Sequence, residues 1–99
     1  MKFDISIRAE AESDISEAYT WYERQLKGLG SDFILCVEEG LAKIQRDPQI
    51  YPVVHRNVRR VLIHRFPYGI FYILEEGVIL ILAVYHAKRN PKQWQARIR

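Results

Sequence analysis

The side chains with the most chemistry to offer lie in the second half of the chain. His86 closes an apolar run, and an imidazole that changes charge near neutral pH can take up or release a proton. Arg65 and Arg89 lie on either side of it in sequence, and a guanidinium fork holds a phosphate or a carboxylate through paired hydrogen bonds. Arg59, Lys88 and Arg97 extend the basic set, and Trp94 adds a large aromatic face. Together they suit proton transfer beside an anion, or plain binding of an anionic partner. Each also has a simpler reading. A lone histidine at a strand end is more often structural than catalytic. Arg59 alternates in phase with Val61, Ile63 and Arg65, which places both arginines on one strand face, there to grip an anion or to serve in a structural ion pair. Arg60 falls on the opposite face. Trp94 reads first as a packing anchor and second as a base-stacking surface. His55 and His64 carry less signal. Cys36 has no strong basic neighbour in sequence, so an activated thiolate is not expected there.

Composition narrows the field. A chain of 99 residues makes one domain, 1–99. With 48% hydrophobic and 27% charged residues it has enough apolar matter to fold. The net charge of +3 hides a division: residues 1–50 hold 6 basic and 10 acidic side chains, and residues 51–99 hold 9 basic and 2 acidic ones. A basic half implies an anionic partner. One cysteine excludes an internal disulfide framework. The N-terminal residues show no signal-peptide core, and the longest apolar run, Val78 to Tyr85, is far short of the roughly 20 residues a membrane helix needs. A cytoplasmic protein without membrane association is expected. No phosphate loop, zinc-type cysteine pair or His-Glu-x-x-His motif occurs, so no cofactor or metal is called for.

The elements that must position these residues follow from periodicity. Phe3, Ile5 and Ile7 alternate with polar residues, which predicts a strand. Ala11, Ile15, Ala18, Tyr22 and Leu26 recur at helical spacing and predict a helix from about Ala9 to Gln25. Gly28 and Gly30 stop it, Ser31 or Asp32 offers a cap, and Phe33, Val37, Leu41 and Ile44 form the stripe of a second helix ended by Pro48. The short connection makes a helical hairpin. Arg59–Phe66, Tyr68–Leu74 and Val78–His86 read as strands, with a tight turn at Glu75-Glu76-Gly77. Runs this apolar imply cover on both faces. Lys92–Arg99 reads as a short terminal helix after Pro91. The fold class is α+β: a small, largely antiparallel sheet with a two-helix hairpin on one face, in the order β-α-α-β-β-β. The other sheet face needs a polar surface or a partner.

The block Arg65-Phe66-Pro67-Tyr68-Gly69-Ile70-Phe71-Tyr72, the strand ending in Tyr85-His86, the following Arg89-Asn90-Pro91 and Trp94, and the earlier Asp14-Ile15, Ala18 and Trp21-Tyr22-Glu23 resemble the ParE branch of the RelE/ParE toxin superfamily, often labelled plasmid stabilization proteins. The resemblance covers nearly the whole chain. It implies the toxin of a type II toxin–antitoxin pair, neutralised by a cognate antitoxin, with operator DNA contacted only through that antitoxin. For the ParE branch it implies a growth inhibitor that binds DNA gyrase. For the RelE branch it implies ribosome-dependent cleavage of messenger RNA.

Ribonuclease action needs a base, an acid and cations for the phosphorane charge. The ribonuclease relatives tend to carry an arginine in the third strand after its tyrosine, where this chain has Gly69. They carry a cation just after the last strand, where it has Ala87, with Lys88 and Arg89 close by. A C-terminal tyrosine is matched only loosely, by Gln93 or Trp94. His86 supports the enzyme reading, with His86 as acid or base and Arg65 and Arg89 as phosphate clamps. The leading expectation is a gyrase-binding toxin that uses Arg59, Arg65, His86, Lys88, Arg89, Trp94 and Arg97 toward its target or antitoxin. A messenger RNA endonuclease is the alternative, and a degenerate toxin kept for antitoxin binding and repression is the third.

Overall fold

The computed structural model describes residues 3–98. Strand β1 (Asp4–Ile7) leads into helix α1 (Ala9–Gln25) and helix α2 (Leu29–Arg46). Strands β2 (Val53–His55), β3 (Val58–Leu62), β4 (Tyr68–Glu75) and β5 (Val78–His86) follow, and a single turn of helix, α3 (Lys92–Gln95), comes last. The sheet order is β1-β5-β4-β3-β2. β1 runs parallel to β5, and every other neighbouring pair is antiparallel.

The predicted α+β fold and helical hairpin are present. The hairpin turn is built differently from the expectation. Neither Ser31 nor Asp32 caps α2. Gly28 stands at its N-cap with φ of 92°, a left-handed conformation that glycine adopts without strain. The Glu23 carboxylate accepts from the Gly28 and Gly30 amides at 2.9 and 3.0 Å, so a side chain from α1 satisfies the orphan donors opening α2. Gly30 is needed for closeness: a Cβ there would lie 2.7 Å from the Tyr19 carbonyl oxygen. At the sheet's far end Glu76 and Gly77 both take positive φ, 50° and 80°, as a two-residue hairpin turn demands.

β2 is the element that periodicity missed. It is three residues long, with Val53 and Val54 exposed, and its pairing with β3 is irregular. β3 is shorter than expected because the chain leaves it after Leu62. Residues 63–67 form a tight connection in which Arg65 has φ of 75°. Pro67 has no amide to give a ladder, so the local bonds run from the Phe66 amide to the His64 carbonyl and from the Tyr68 amide to the Phe66 carbonyl.

The hairpin covers one sheet face, where Ala11, Ala18, Phe33, Val37 and Ile44 meet Val61, Ile70, Tyr72, Ile79, Ile81 and Val84. The second face is not left bare or polar throughout. Trp94 and Ile98 from the terminal segment cover a smaller cluster of Val58, Phe71, Ile73, Leu82 and Tyr85. β4 is therefore buried on both sides, which explains its unbroken apolar run.

Tyr72 is fully buried, and its hydroxyl donates to the Pro48 carbonyl at 2.6 Å, tying the end of α2 to the sheet. Burial pushes its pKa up to about 12, with Arg59 pulling the other way. The folded protein holds this proton more tightly than the unfolded chain, whose tyrosines titrate near 10. The stabilisation is intact below pH about 10 and is lost as pH rises toward 12, amounting to about 1 kcal/mol by pH 11 from this group alone. Tyr22 and Tyr68, also raised by burial, act in the same direction. In urea unfolding, Tyr72→Phe is expected to lose less stability than the parent between pH 9 and 11. Equal losses would refute the assignment.

Candidate functional site

β5 carries an irregularity that decides which way the site residues face. Phe71 pairs with Ala83 and Tyr72 pairs with Ile81, so Leu82 is an extra residue in β5. A bulge of this kind shifts the alternation by one. Ile79 and Ile81 face the hairpin, and beyond the bulge Val84 does so too, while Tyr85 joins the second face. His86 then pairs with Tyr68 at the strand end, their rings edge to face at 5.3 Å. The Nδ1 of His86 accepts from the Lys88 amide at 3.0 Å, which leaves Nε2 for any other partner.

His86 sits at the meeting point of two grooves. The first, about 370 Å³, opens between α1 and the strand ends and is lined by Asp14, Glu17, Trp21, Tyr22, Tyr68, His86 and Arg89 among others. Trp21 is 58% exposed there and meets Tyr22 edge to face at 5.1 Å. Burial pushes the Tyr68 phenol up, aided by Tyr22 and opposed by Arg89. The second groove, about 240 Å³, opens on the other sheet face between β3, β4 and the terminal segment. His86, Arg89, Arg60, Phe71 and Trp94 line it with Val54, Leu62 and Pro91. It has cations and apolar walls, and none of its lining residues is acidic.

The sequence-derived candidates separate. His86, Arg89 and Trp94 come together around the second groove. Arg89 is held with its guanidinium 4.8 Å from the centre of the Tyr85 ring. Trp94 is 4% exposed and stacks on Phe71 at 4.3 Å, so the packing reading holds and a base-stacking face is not presented. Lys88 is exposed beside the groove.

Arg59 and Arg65 do not share a site. Arg59 donates to the Gln49 and Tyr51 carbonyls and fastens the loop after α2. Arg65, outside β3, pairs with Asp32 at 3.0 Å on the surface near the start of α2. The alternation that joined them stops where β3 stops, at Leu62.

Arg97 is engaged inside the fold. Its guanidinium forms a two-pronged pair with Asp14 at 2.7 and 3.0 Å and donates to the Leu82 carbonyl at 3.2 Å. The Asp14 carboxylate also accepts from the Val84 amide at 3.0 Å. β1 stops pairing at Ile81, so Leu82 and Val84 lie on a bare edge of β5, and the ion pair satisfies both. The hydrogen bond to Asp14 is the chief reason the pKa of Arg97 is raised, against the opposing effect of burial. An expected surface cation is therefore an internal fastener.

Arg60 is the groove residue that sequence reasoning passed over. It lies on the same face of β3 as Leu62 and opposite Phe71. Its aliphatic stem crosses toward Gly69, where a Cβ would meet Arg60 Cγ and Cδ at 3.1 Å. The available signal was its alternation opposite Arg59, read alongside a glycine in the next strand.

The sequence model described as the ParE toxin of the type II toxin–antitoxin system parDE matches residues 5–91. No curated protein gives a match. Among solved structures, the chromosomal ParDE toxin–antitoxin system from P. aeruginosa contains a chain that superposes with a TM-score of 0.67 at 15% identity, over 87% of this chain and 97% of that one. The RelBE2 toxin–antitoxin complex from Mycobacterium tuberculosis contains another, with a TM-score of 0.60 at 16% identity, over 87% of this chain and 99% of that one. At such identities the likeness carries the fold, while the match over residues 5–91 carries the family. A helical hairpin on a five-stranded sheet, the Phe66–Tyr72 block leading into β4 and the His86 strand end thus lie in a chain that belongs to the ParE toxin family of type II toxin–antitoxin systems.

Proposed function

We propose that this toxin acts by binding, that its target is DNA gyrase, and that a cognate antitoxin neutralises it by covering the basic groove. The carrying observation is the make-up of that groove. Arg60 and Arg89 bring guanidiniums, and His86 is the one lining side chain of a type used as both acid and base. Strand-scission chemistry asks for a base and an acid in the same site. Gly69 and Ala87 stand at positions where ribonuclease relatives tend to place cations. A surface with charge and shape but little proton-transfer capacity suits a binding toxin. The fold's likeness to chains of two toxin–antitoxin complexes supports the antitoxin partner.

Induction without antitoxin, followed by supercoiling and cleavage assays on gyrase, tests the reading. Inhibited supercoiling or trapped cleavage complexes are expected. Rapid transcript cleavage with unaltered gyrase would overturn it. A second reading, a messenger RNA endonuclease, draws on one observation: His86, Arg60 and Arg89 share a groove. Primer extension on transcripts from induced cells discriminates. Undiminished toxicity of a folded His86→Ala protein would remove the enzyme reading.

A further inference from the structure

Arg60 is half-buried, and its Nε is shielded from solvent with no hydrogen-bond partner in the protein. A buried donor left unmatched costs about 1–3 kcal/mol, so the packing around the stem offsets that cost. The stem is held in place by packing. Gly69 leaves the space over which Cγ and Cδ lie, and the Phe71 ring closes the other side, its Cε1 lying 3.3 Å from where a Gly69 Cβ would be. Phe71 is itself fixed beneath Trp94.

We propose that the groove is a carboxylate-binding subsite for a protein partner, in which Arg60 grips the carboxylate end-on through its two Nη groups while Arg89 and His86 Nε2 complete the anion shell. The charge complementarity is direct: two guanidiniums and an imidazole line the groove, and no acidic side chain does. The neighbouring groove on the hairpin face differs, since Asp14 and Glu17 line it. End-on pairing of a guanidinium with a carboxylate supplies two parallel charge-assisted bonds, and a planar fork is specific for that geometry in a way that an ammonium is not. The occupant is an acidic peptide segment rather than a nucleic acid. Single strands bind on exposed aromatic faces, and here Phe71 and Trp94 are 6% and 4% exposed and stacked on each other. The exposed apolar Leu62 and Val54 at the rim suit aliphatic side chains flanking the acid.

This inference takes from the proposed function only that the partner is a protein. Its test needs neither growth nor gyrase, so either reading can fail alone. The intact chain is titrated with the capped tripeptide acetyl-Glu-Leu-Glu-amide, with acetyl-Gln-Leu-Gln-amide and with a uridine hexanucleotide, following the Arg60 Nε–H and Trp94 indole signals by NMR. The acidic peptide is expected to shift both signals saturably and to bind about tenfold more tightly than its amide counterpart. Arg60→Lys keeps the charge but removes the fork, and Gly69→Ala crowds the stem. Each is expected to weaken the acidic peptide about fivefold or more with the amide spectrum retained. If Gly69→Ala does not fold, Arg60→Lys decides alone. Equal binding of the two peptides, undiminished binding by Arg60→Lys, tighter binding of the hexanucleotide, or no binding at all would each overturn the proposal.

Discussion

Asp14→Ala is expected to lower the folding free energy by about 3–5 kcal/mol, as removal of one partner from a buried pair does. Side-chain exposures of 7% for Asp14 and 19% for Arg97 put this pair among buried ones. The loss has three physical parts. Arg97 keeps its charge and loses its anion. The Val84 amide loses its acceptor on an edge that β1 does not reach. The terminal segment loses the grip that also brings Arg97 to the Leu82 carbonyl. For a domain whose whole stability is about 5–15 kcal/mol, that removes a large share. Asp14→Asn retains an acceptor for one amide and should fall between parent and alanine variant. Asp32→Ala provides the contrast. It breaks the Arg65 pair, whose side chains are 53% and 44% exposed, and should cost no more than about 1 kcal/mol. Urea unfolding of the three variants checks the order, and an Asp14→Ala loss no larger than that of Asp32→Ala would show that the pair is not structural.

The division between what was legible and what was not follows the range of the interactions. Helix α1 was readable to its ends because its side-chain periodicity is local and sustained, and strand β5 because its apolar run is bounded by a turn and a charged segment. The hairpin turn at Gly77 was readable from the local chemistry of its residues, glycine being at ease with a positive φ. β2 was not, since two exposed valines and a half-buried histidine carry no alternation to detect. The bulge at Leu82 was invisible in an unbroken apolar run, yet it sets the side that Val84 and Tyr85 take. Arg59 and Arg65 looked paired because period two was extended past Leu62, where Pro67 and the turn before it end the ladder. Arg97 looked like a surface cation because its partner lies 83 positions away in sequence, beyond any local pattern. His86, Arg89 and Trp94 were found as a group because they follow one another out of a single strand end.

Trp94→Ala is expected to cost about 3–5 kcal/mol, the range for removing a large buried aromatic ring. Trp94 is 4% exposed, stacks on Phe71 at 4.3 Å and meets His55 edge to face at 5.7 Å. Trp94→Phe preserves an apolar ring and should lose less. Fluorescence gives a direct readout, since the other tryptophan, Trp21, is 58% exposed: the alanine variant should emit only as a solvated indole. The stronger test couples this site to Asp14. The Arg97 amide donates to the Trp94 carbonyl at 3.0 Å, so ring and guanidinium hang on one short segment. If that segment docks as a unit, losing the ring also withdraws Arg97 from Asp14. Asp14→Ala should then cost about 1–2 kcal/mol less in the Trp94→Ala background than in the parent, a non-additivity typical of groups sharing one structural element. Strict additivity would mean that ion pair and aromatic stack hold independently. The groove wall and the β5 edge would then be two separate structures, and Arg60 would keep its setting beside Gly69 even with the terminal segment released.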